Sequence, residues 1–171
     1  MKTKCSIVLL MAFCCVAVYA QESDTLAGAE GVALEYLTAF YHGDLQTAAE
    51  LTHPELLAKT KREFLQRAQA GLLEGTPFSE FVSSMDFDKL MQIPSSRLYV
   101  NIQELSRAAA PPQAIEAMQM AQIIVISSEA VSETLVKVNL NVVVPTAKGG
   151  REQISPVYLK KFHDDYRVTE P

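Results

Sequence analysis

The chain has 171 residues, with 15 Lys and Arg against 20 Asp and Glu, a formal net charge of −5 and no tryptophan. That acidic balance, with no Lys/Arg cluster interleaved with aromatics, excludes nucleic acid as an expected partner. The three cysteines, Cys5, Cys14 and Cys15, all fall near the start, so the rest of the chain can form no disulfide framework, thiolate nucleophile or cysteine metal site.

Residues 1 to 20 read as a leader. Lys2 and Lys4 precede an apolar stretch, Ile7 to Val18, that is short for a membrane span, and Val18-Tyr19-Ala20 offers small residues where a signal peptidase reads. Cleavage after Ala20 is expected, with a secreted or periplasmic product that begins at Gln21 and has no stable membrane insertion. Neither Cys14 nor Cys15 has the preceding small residue of a lipoprotein site. Removing Lys2 and Lys4 leaves 13 basic against 20 acidic residues, a balance of −7. Residues 21 to 171 are the usual size of a single domain.

Helices come first. Asp24 is placed to cap a helix with Leu26, Ala29, Ala33, Leu37 and Phe40 on one face, stopped at Gly43. Asp44 then caps a short helix from Leu45 to Leu51. Pro54 opens a third, with Leu57, Phe64, Ala68 and Leu72 inward and Glu55, Lys59, Arg62 and Glu63 outward, ended by Gly75 and Pro77. Ser79 to Met91 is expected to be helical, and Pro94-Ser95-Ser96 starts another helix with Leu98, Ile102, Leu105 and Ala109 in line. Pro111 and Pro112 break it, and a helical piece from Gln113 to Met120 follows.

Strands come last, expected at Ala121 to Ser127, Glu133 to Val144, Gln153 to Phe162 and Tyr166 to Thr169. The second is the clearest. Val136, Val138, Leu140 and Val142 alternate with Lys137, Asn139 and Asn141, the period of a half-buried strand. Ser128-Glu129-Ala130, Lys148-Gly149-Gly150 and His163-Asp164-Asp165 supply turn chemistry. Pro156 lacks an N–H, so it implies an edge or a bulge early in the third strand. The expected class is α+β, with N-terminal helices packed on a curved C-terminal antiparallel meander.

Two segments carry a resemblance. Tyr36 to Leu51, Tyr-Leu-Thr-Ala-Phe-Tyr-His-Gly-Asp-Leu-Gln-Thr-Ala-Ala-Glu-Leu, has a first helix ending in Gly-Asp before alanines. Val157 to Val168, Val-Tyr-Leu-Lys-Lys-Phe-His-Asp-Asp-Tyr-Arg-Val, has a hairpin with an acidic turn. Together they resemble the nuclear-transport-factor-2-like superfamily, which implies a helix-and-sheet cone. The middle, Ser79 to Met120, is longer and more helical than the insertion usual there. Enzymes of that superfamily, such as ketosteroid isomerases and scytalone dehydratase, place Asp, His or Tyr inward on strands.

Here the inward positions of the clearest strand are apolar. His42 ends a helix, His53 precedes Pro54 and His163 lies in a turn, so the three histidines form no metal-ligand or base-orienter pair. Asp86 and Asp88 are two apart, point to different helix faces and read as solvated. Tyr36, Phe40, Tyr99, Val138, Leu140 and Tyr158 are the candidate lining of a cavity between helices and sheet, with core packing as the plainer account of the aromatics. Two functional classes follow. One is a non-enzymatic binding module for a partner protein or an apolar small molecule, with no cofactor and no metal. The other is a cofactor-free lyase or isomerase, which needs a buried acid or base. Lys137, Asn139 and Asn141 on the opposite sheet face favour a monomer or a weak, polar dimer.

Overall fold

A computed structural model describes residues 26–146 and 149–171. The expected leader, the expected cap Asp24 and Lys148 of the second turn lie outside the described residues. The architecture is α+β, with helices followed by a curved four-stranded antiparallel sheet in the order β1-β2-β3-β4.

Helix α1 covers 26–42. Its Ala29 and Ala33 are fully buried, and these small side chains let the helix lie close on the sheet. Gly43, at φ 88°, stops it in the left-handed conformation that glycine adopts without a Cβ clash. Arg107 then donates to the α1 carbonyls of Phe40 at 2.9 Å and Tyr41 at 3.2 Å, covering groups that the helix end leaves without partners. Asp44 accepts from the Thr47 N–H at 3.1 Å and caps α2, Leu45–Glu50.

Helix α3, Pro54–Gln69, ends sooner than expected. Gly71 takes φ 70°, and the Leu72 N–H donates to the Arg67 carbonyl at 2.9 Å while that of Gly71 donates to Ala68 at 3.1 Å, a Schellman closure. The stop is therefore Gly71 rather than Gly75 and Pro77, and Leu72, expected inward, lies beyond the helix and is 63% exposed. The helix expected over Ser79 to Met91 is also corrected, to α4, Ser79–Ser83, and α5, Phe87–Gln92. The Ser83 and Ser84 hydroxyls turn back onto the Glu80 and Phe81 carbonyls, a weak local alternative to continuation, and Asp86, extended at ψ 147°, separates the two helices. Helices α6, Ser95–Ala108, and α7, Pro112–Gln119, complete the set.

The strands are β1, Gln122–Ala130, β2, Leu135–Thr146, β3, Gly149–Phe162, and β4, Asp165–Thr169. β3 begins four residues earlier than expected, because Gly149 and Gly150 continue the β2 ladder opposite Thr146 and Pro145 instead of forming a turn. The irregularity is in β1, between Val125 and Ser127, and not at Pro156. The Lys161 N–H donates toward β2, to the Thr134 carbonyl, so every second residue back along β3 from Phe162, Pro156 included, turns its backbone away from β2. β4 reaches back only to Tyr158, which leaves Pro156 on a free edge where its missing donor costs nothing.

Register then sorts the faces. Val136, Val138, Leu140, Val142, Val157, Leu159 and Val168 pack beneath α1. A second cluster joins Leu45, Ala49, Leu57, Tyr99 and Val100, and a third joins Phe64, Leu73, Leu90 and Leu98. The corner between α2 and α3 is tied to β4 by the His53 N–H on the Val168 carbonyl and the Val168 N–H on the Leu51 carbonyl, both at 2.8 Å.

Candidate functional site

The six expected lining residues separate into three places. Val138 and Leu140 are fully buried in the main core, out of reach of solvent. Tyr36 and Tyr99 come together between α1 and α6, hydroxyl to hydroxyl at 3.1 Å, with Phe40 stacked on Tyr36 at 6.3 Å. Burial, with the Tyr99 oxygen beside it, pushes the Tyr36 phenol well above its ordinary value, so Tyr36 is held protonated and offers no base. Tyr158 is a correction. It pairs with Lys137, and period-two alternation puts it on the face opposite Val138 and Leu140.

That opposite face is less polar than β2 alone indicates. Ile124 and Ile154 flank Asn141 in register, 58% and 65% exposed.

The histidines divide similarly. His53 is the buried one, 5% exposed. Its Nδ1 accepts the Glu55 N–H at 3.2 Å as the cap of α3, and its ring meets Phe162 edge-on. Burial holds His53 below the usual histidine range; Glu55, 3.6 Å away, pulls it upward and Lys160 adds to the depression. The folded state thus resists a proton that the unfolded chain binds near pH 6.5, at about the ordinary histidine value. Stability that is complete above that pH should fall as pH drops through the folded value. Urea melts across a pH series should show this slope, and His53→Asn, which can still cap without titrating, should flatten it. An unchanged slope in the variant would remove His53 from the pH response.

Asp86 and Asp88 are solvated, with Lys89 3.6 Å from Asp86, and among the described residues no group of three or more His, Asp or Glu is placed to hold a metal ion. No described helix is long and apolar enough to cross a membrane.

Space opens at the far end of the sheet. Beneath α7, a cavity of about 290 Å³ is lined by Ala114, Ala117, Met118, Val144, Pro145, Thr146, Arg151 and Gln153. It continues around the helix into a wider groove of about 600 Å³ bounded by Pro111, Glu116 and Met120. The local sequence explains the gap. Pro111 and Pro112 redirect the chain after α6, alanines at 114 and 117 leave room where larger side chains would fill it, and of the apolar residues of α7 Ala114 is exposed while Ile115, Ala117 and Met118 are only half-buried. Its packing partner is β2.

Sequence reasoning did not single out this set. It read Gln113 to Met120 only as a link to the first strand. The signal lay in the pairing of β3, because Gln153 opposite Val142 and Arg151 opposite Val144 are inward positions that have turned polar. No family model matches the chain, and no curated protein or solved structure matches it.

Proposed function

We propose that this chain is a non-enzymatic binding module, acting outside the cytoplasm after removal of its leader, that takes an apolar small molecule in the groove beneath α7. One observation carries the reading. Helix α7, whose Ile115, Ala117 and Met118 are only half-buried, faces the half-buried Val144 and Pro145 across a cavity at the lower end of ligand-site sizes, so a ligand there would complete burial that both walls have only in part. The nuclear-transport-factor-2-like resemblance is kept with this proposal, with the ligand moved from the buried centre of the sheet to its open end. The lyase or isomerase alternative asks for a base on an inward strand position, where Val136, Val138, Leu140 and Val142 sit.

Calorimetry with decanol tests the reading. Binding should show a negative heat-capacity change and raise the melting temperature with ligand concentration, and Ala117→Leu, which fills the groove, should weaken it by about tenfold or more. No heat with decanol and related medium-chain alcohols, or binding that Ala117→Leu leaves intact, would defeat it.

A further inference from the structure

The inner face of β3 changes character along its length while β2 beside it does not. From the buried end the inward residues run Leu159, Val157, Ser155, Gln153 and Arg151, opposite Val136, Val138, Leu140, Val142 and Val144. The groove beneath α7 therefore has an apolar wall, from α7 and β2, and a polar wall along β3 that ends in a guanidinium. Among the described residues Arg151 is the one charged residue lining the cavity of about 290 Å³. Among the described residues it takes part in no ion pair, unlike Arg167, whose guanidinium is bound to Asp165 at 2.6 Å. The other flank carries the opposite sign. Glu116 borders the wider part of the groove, whose lining does not include Arg151.

We propose, resting on the groove reading above, that the ligand is an anionic amphiphile, a free medium-chain carboxylate whose head group is held by Arg151. Its chain lies along Met118, Ala117 and Val144, burying methylenes against both walls. A guanidinium presents paired N–H groups that match the two oxygens of a carboxylate, and a charge-assisted pair of this kind is stronger than a neutral hydrogen bond. Glu116, which borders the wider space and not the one Arg151 lines, disfavours the same head group there, so the two charges set the direction in which the ligand lies. The net charge of −5 gives no general attraction for anions, which leaves the preference to this local pair.

Calorimetry of the purified chain with decanoate and with decanol separates this proposal from the groove reading. The wild type should bind decanoate at least about tenfold more tightly than decanol. Arg151→Gln should bring decanoate down to the level of decanol, and Arg151→Lys, a point charge without the fork, should keep part of the preference. Arg151 is exposed, so neither variant threatens the fold. Equal affinities in the wild type would overturn the carboxylate assignment and leave the groove standing; no binding of either compound would overturn both. Sedimentation with phosphatidylglycerol vesicles, without binding of monomeric decanoate, would place the anion on a lipid surface and likewise overturn the proposal.

Discussion

Val138→Asp and Leu140→Asp should each unfold the protein, while Asn139→Asp, their neighbour in sequence, should leave its melting temperature nearly unchanged. Val138 and Leu140 are fully buried beneath α1, so an aspartate at either site must lose its hydration, or gain a proton, among Ala29, Ala33 and Val157. The cost is several kcal/mol against a total stability on the order of 5–15 kcal/mol. Asn139 lies on the other face, where its side chain donates to the Ser127 hydroxyl at 3.0 Å in an exposed position. An aspartate there accepts from the same hydroxyl instead of donating to it and stays in water. Thermal melts of the three variants decide the matter. Equal losses at all three would mean that both faces of the sheet are covered.

Leu98→Ala should have the next largest effect, about 2–5 kcal/mol, because it removes a fully buried side chain from the cluster that holds α3, α5 and α6 together. Phe64 and Leu90 are held on the backbone of α3 and α5 and can only partly close the space. Leu72→Ala, a leucine 63% exposed beyond the end of α3, should change little. Urea unfolding checks both. Comparable losses would show that Leu72 packs in solution and that the Gly71 stop is misplaced.

Those contrasts also mark where the chain was legible. Gly43 and Pro54 act through their own backbone and Asp44 through a side chain that reaches only three residues ahead, so the first helices are readable from single residues. The alternation from Val136 to Val142 contains its own answer, because a strand with one buried face needs only its own period. The split between α4 and α5 depends on serine hydroxyls that compete with the helix only weakly, and no spacing rule weighs that competition. The inward positions of β3 are different again. Arg151 and Gln153 become lining residues only once β3 is registered against β2, and Tyr158 leaves the set for the same reason. α7 was legible as a helix, but that its apolar residues stay half-buried or exposed is a fact of packing.

Methyl NMR of the wild-type chain during a decanoate titration tests most directly whether a ligand enters beneath α7. Met118 and Val144 line the cavity, whereas Val136 and Val138 are closed off beneath α1. The expected result is saturable shifts at Met118 and Val144, with Val136 and Val138 unmoved. Shifts centred on Val136 and Val138, with Met118 and Val144 unmoved, would contradict it.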